Sequence, residues 1–126
     1  MSDWFYKAIQ AIISENTAEL FNYINRMKFP TNTTNKNIQY IAELATKNKQ
    51  NEIVKIICEN LNCIALQPLI NISVCIGNIE LTKYLYNKGV EWNYYAIIIA
   101  QRNNHIKLVS WCILKKPVQT YTYSKL

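Results

Sequence analysis

The chain is 126 residues long, half of them apolar, with 17% charged residues and a formal net charge of +6. That length suits one domain with a working core, and the apolar share excludes a disordered tail. No apolar run approaches the roughly 18 residues of a membrane span, and the opening "MSDWFYKAIQ" lacks the basic stretch of a secretory signal.

The expectation is therefore an intracellular protein in a reducing compartment, without membrane insertion. Its four cysteines (Cys58, Cys63, Cys75 and Cys112) are read as reduced thiols. Asn, Ile and Lys make up 47 of the 126 residues, and Lys outnumbers Arg 12 to 2, a bias that AT-rich codons produce. The positive charge is uneven. Residues 92–126 carry Arg102, Lys107, Lys115, Lys116 and Lys125 with no acid, while residues 1–91 balance to +1. Such asymmetry suits an acidic partner surface.

In chain order, apolar periodicity predicts helices at 5–14, 17–27, 37–48, 51–60, 68–76, 79–88, 94–103 and 106–115. They fall into four pairs. "AIQAIISENTAELFNYI" from Ala8, "IAELATKNKQNEIVKII" from Ile41, "LINISVCIGNIELTKYL" from Leu69 and "AIIIAQRNNHIKLVSWC" from Ala96 align without a gap. Glu19, Glu52, Glu80 and Lys107 share one column, at the first turn of each second helix, where a carboxylate meets the helix dipole. Small or apolar pairs precede it: Ala11–Ile12, Leu44–Ala45, Ile72–Ser73 and Ile99–Ala100. Leu20/Tyr23/Ile24, Ile53/Ile56/Ile57, Leu81/Tyr84/Leu85 and Leu108/Trp111/Cys112 follow it as the buried face of the second helix.

Each pair turns through a short polar stretch. Asn16, Gly77 and Asn104 fill the turn column, residues that tolerate left-handed backbone at a helix end; Lys49 is its exception. "FPTNTTNKN" and "NLNCIALQP" separate the pairs, Pro68 suits a helix's first turn, Gly89 closes its helix as a C-cap, and Pro117 ends the fourth pair. The expected fold is an all-α solenoid of about four stacked helix-turn-helix repeats over residues 1–117, followed by a tail at 118–126. Trp4, Phe5 and Tyr6 suit an N-terminal cap.

The Glu and Lys anchors lie 33, 28 and 27 residues apart, against about 34 for tetratricopeptide units and about 40–47 for HEAT units. "GNIELTKYLYNKGVEWN" resembles the ankyrin repeat through Gly77, Asn78, Glu80, Leu81, Tyr84, Leu85, Gly89 and Asn93. "NEIVKII" and "NNHIKLVSW" repeat its core, so the resemblance covers roughly residues 6 to 114. The family's Thr-Pro-Leu-His entry is missing from all four units, and the short periods leave little room for β-hairpin fingers. Such divergent units look like those of multigene-family ankyrin proteins of large DNA viruses, asfarviruses and mimiviruses among them. The resemblance implies a protein-binding role, with host interaction or modulation of host defence, in the host cytoplasm, if the origin is viral.

Nothing in the sequence assembles catalysis, so no enzyme, cofactor or metal is expected. His105, the single histidine, stands in an inter-helix turn and has no second histidine to work with. The recurring carboxylates mark a repeat position rather than a converging acid–base pair. Two glycines cannot build a phosphate loop, and the cysteines lack zinc-site spacing.

Candidate partner-binding residues are Trp92, Tyr94, Arg102, His105, Lys107, Lys115 and Lys116. Trp92, beside Tyr94 and Tyr95, reads either as a cap on the last repeat or as an exposed aromatic anchor. The expected partner is a protein, one from a host if the origin is viral. The alternative is a small basic nucleic-acid-binding protein acting through its last quarter, although its tyrosines do not interleave with lysines as a stacking platform requires.

Overall fold

A computed structural model describes residues 3–14, 16, 18–19, 35–60 and 64–115. The described residues form seven helices: α1 (Asp3–Ile13), α2 (Asn35–Lys47), α3 (Asn51–Asn60), α4 (Leu66–Cys75), α5 (Ile79–Asn87), α6 (Tyr94–Arg102) and α7 (Ile106–Lys115). Among the described residues there is no strand, and no helix is long and apolar enough to cross a membrane. The expected helix 17–27, the loop "FPTNTTNKN", Cys63 and the tail 118–126 lie largely or wholly outside the described residues, as do the side chains of Trp4, Phe5 and Tyr6.

The helix bounds follow the apolar periodicity to within two residues. α4 begins two residues before the expected start, which places Pro68 at its third position. The first four N–H groups of a helix have no intrahelical acceptor, so a proline there breaks no bond.

Helix ends follow one backbone device. In a Schellman end, the left-handed residue bonds three positions back and its successor bonds five back. Lys49 and Gln50 bond Thr46 and Ala45, Gly77 and Asn78 bond Val74 and Ser73, Gly89 and Val90 bond Tyr86 and Leu85, and Asn104 and His105 bond Gln101 and Ala100. Lys49 (φ 59°), Gly77 (φ 76°), Gly89 (φ 92°) and Asn104 (φ 61°) are all left-handed. The turn is therefore imposed by helix closure even where the residue is unsuited to it.

At Lys49 the left-handed conformation costs about 1–2 kcal/mol for a residue with a Cβ, more than the roughly 0.5–1 kcal/mol of extra chain entropy that a glycine loses. Lys49→Gly is expected to stabilise the protein by about 0.5–1 kcal/mol. A raised urea midpoint with unchanged slope is the expected reading.

The first pair departs from the gap-free register. The N–H of Asn16 bonds the carbonyl of Ala11, the five-back bond that Asn78 makes. The Asn16 side chain accepts from the Glu19 N–H at 3.1 Å and donates to the Glu19 carboxylate at 2.8 Å, as Asn78 accepts from the Leu81 N–H at 3.2 Å. Asn16 is thus the counterpart of Asn78 and not of Gly77, and the alignment slips by one residue there. Asn serves both positions, so residue type alone could not separate them.

The chain divides into two compact units, residues 1–69 and 70–126, with the boundary inside α4. In the first, α2 packs against both α1 and α3. Ile12, Ala42, Ala45, Ile53, Val54 and Ile57 are buried there. Gln50 is buried too, and its amide donates to the Ile12 carbonyl at 3.1 Å. Gln39 grips the segment ahead of α4 from both sides, accepting from the Ala65 N–H at 2.8 Å and donating to the Ala65 carbonyl at 3.0 Å.

In the second unit α6 packs on α7, and Val74, Leu81, Leu85, Ala96, Ala100, Leu108 and Cys112 are buried. α4 and α5 are joined through buried hydroxyls: Ser73 and Thr82 share a 2.9 Å hydrogen bond in which one donates to the other, and the hydroxyl that accepts gives its own hydrogen to its backbone carbonyl, Ile70 for Ser73 or Asn78 for Thr82. One hydroxyl pair, fully satisfied, fixes the register of the two helices without leaving a polar atom bare. The Asn71 side chain accepts from the Asn93 N–H at 2.7 Å, just ahead of α6. A polar side chain on a first helix thus holds the entry to the next pair in each unit, Gln39 in one and Asn71 in the other.

Candidate functional site

The expected site residues separate into three places within the second unit. Trp92 is 3% exposed. Its ring lies 5.4 Å from that of Tyr86 and 5.9 Å from that of Trp111, and Tyr86 meets Trp111 edge-on at 5.5 Å. The three rings come from α5, the α5–α6 connection and α7, and they close on one another. Burial in this cluster corrects the reading of Trp92 as an exposed anchor.

Above the cluster stand two ammonium groups. Lys83 Nζ and Lys115 Nζ each lie 5.8 Å from the Trp111 ring centre, within the range of a cation–π contact of about 0.5–1 kcal/mol at an exposed site. Trp111 itself is half-buried and both lysines are exposed. Lys107, Ser110, Trp111 and Leu114 follow at helical spacing along α7, and Leu114 is 84% exposed.

The second place is the outer side of α6. Tyr95 is 72% exposed and Ile99 41%; Arg102 follows at the same helical spacing and is exposed. Tyr94 is partly exposed, its ring 6.1 Å from that of Tyr95. Ile99 was expected to face the core with Ala100; only Ala100 does.

The third place is the pair of turns. An open groove of about 410 Å³ is lined by Gly77, Ile79, Asn104, His105, Ile106 and Lys107. His105 is half-buried, and its ring fits the space that a Cβ on Gly77 would occupy. This contact gives the histidine a packing role between the two turns. Lys107 is exposed at the start of α7, in the column that carries Glu52 in α3 and Glu80 in α5. Lys116 lies outside the described residues.

Tyr95 was legible as a candidate, because Tyr40 holds the same repeat position on α2 and is 52% exposed. Lys83 gave no signal in the sequence, since its approach to Trp111 depends on α5 and α7 meeting.

The Cys75 and Cys112 thiols are free and show no activation. Burial pushes the Cys112 thiol up to about 12 and raises Cys75 as well, so neither is a thiolate nucleophile near neutral pH. Among the described residues no group of three His, Cys, Asp or Glu side chains comes together. No family model matches this chain, and no curated protein or solved structure is significantly similar to it.

Proposed function

We infer that the chain is a non-enzymatic protein-binding scaffold built from ankyrin-like helix pairs. The observation that carries this reading is the stripe on α6, where Tyr95, Ile99 and Arg102 stand exposed on one helical face. Tyrosine and arginine are enriched among the residues that dominate protein interfaces, and a helix held by its neighbours presents them with little loss of entropy on binding. The fit of His105 on Gly77 and the gripped entries at Ala65 and Asn93 support stacking of helix pairs within each unit. A solenoid of this kind offers an extended surface, and host interaction is the use that a viral origin would give it.

The test is affinity capture from the native cell, with and without nuclease, comparing the chain with its Tyr95→Ser/Ile99→Ser variant. Both positions are exposed, so the variant is expected to fold. A protein retained by the parent and lost by the variant is the expected outcome. Retention that vanishes on nuclease treatment alone would instead support the nucleic-acid reading.

A further inference from the structure

The second helices α5 and α7 present a surface separate from the α6 stripe. Lys83 and Lys115 bring their ammonium groups to the same indole, Trp111, from two different helices. Lys107 adds a third cation one turn before Trp111 on α7. Among the described residues, none of the three lysines forms an ion pair with a carboxylate. Glu80 and Glu91 are the two acids between residues 70 and 115, and Glu80 occupies the first turn of α5, where the helix dipole favours it.

Like charges gathered over one ring repel, and a partner that supplies carboxylates relieves that repulsion. Leu114, 84% exposed, adds an apolar contact beside them. The indole beneath is held by Tyr86 and Trp92, so the ring that two of the ammonium groups approach is fixed in place.

Resting on the scaffold reading above, we propose that the α5–α7 ridge docks an acidic segment of a partner protein, with carboxylates at Lys83, Lys107 and Lys115 and an apolar side chain against Leu114. The chemistry favours a protein segment over a nucleic acid for two reasons. Single strands bind through open aromatic faces on which bases stack, whereas Trp111 is half-buried, edge-packed by Tyr86 and approached by two ammonium groups. A phosphate backbone also has no use for Leu114.

The test is fluorescence anisotropy of the full chain with a labelled synthetic peptide rich in Glu and containing Leu. Its Gln-for-Glu counterpart and random single- and double-stranded DNA serve as comparisons. The Glu peptide is expected to bind about tenfold or more tightly than the Gln peptide and to weaken as salt rises from about 0.1 M to about 1 M, where the screening length falls from about 10 Å to about 3 Å. Lys83→Glu/Lys115→Glu is expected to abolish the preference, and Leu114→Ser to weaken binding severalfold, with circular dichroism showing that both variants fold. Equal affinity for the two peptides, or tighter binding to DNA than to the Glu peptide, would overturn the proposal. If the peptide fails while the α6-dependent capture persists, the ridge proposal falls and the scaffold reading stands. If both fail, the scaffold reading falls with it.

Discussion

Leu85→Ala is expected to lower stability by about 2–5 kcal/mol, the range of core leucine truncations. Leu85 is fully buried on α5, as is Leu81 one turn earlier. The substitution removes three carbons at about 0.8 kcal/mol per buried methylene. A cavity term adds to that unless neighbours collapse into the space. Small domains hold about 5–15 kcal/mol in all, so the loss is a large share. Urea unfolding followed by tryptophan fluorescence measures it, because Trp92 and Trp111 lie in the same compact unit as Leu85. Leu114→Ala is the control: at 84% exposure it is expected to change stability by no more than about 0.5 kcal/mol. Equal midpoints for the two variants would mean that the repeat register has been misread.

Leu85 also shows why much of the fold was readable. Its column, filled by Ile57, Leu85 and Cys112, is buried throughout the described pairs. Burial on a helix follows a period that the sequence carries directly. Turn chemistry was readable for a related reason, because a helix that closes in a Schellman end calls for a residue tolerant of positive φ. Where the sequence misled, the deciding interaction came from elsewhere in the chain. Lys49 is left-handed because the carbonyls of Thr46 and Ala45 need donors. Trp92, read either as a cap or as an exposed anchor, is buried because α5 and α7 bring Tyr86 and Trp111 to it, which removes only the second of those readings. Ile99 fits the apolar column of its repeat, yet 41% of it remains exposed. The ridge at Lys83 and Lys115 was hidden because the two lysines lie on different helices.

Gly77→Ala and Gly89→Ala offer a comparison in which backbone strain is held nearly constant. Both glycines are left-handed, at φ 76° and 92°, so each alanine incurs the roughly 1–2 kcal/mol cost of a Cβ in that region. Their surroundings differ sharply. A Cβ on Gly89 meets nothing within 4 Å, whereas one on Gly77 would stand 2.5 Å from His105 Nδ1 and 2.6 Å from His105 Cγ. The His105 backbone is held, its N–H on the Ala100 carbonyl and its carbonyl accepting from Val109, so relief has to come from side-chain rotation, and the clash reaches Cγ, the ring atom next to the backbone. Gly77→Ala is therefore expected to cost about 1–3 kcal/mol more than Gly89→Ala, the range of overpacking in a well-fitted site. The cycle that adds His105→Ala isolates this contact. In the His105→Ala background the excess at Gly77 is expected to disappear, leaving only the backbone term shared with Gly89. An excess that survives removal of the imidazole would show that the two turns do not pack through this pair. It would also withdraw one of the contacts that support stacking of the third and fourth helix pairs.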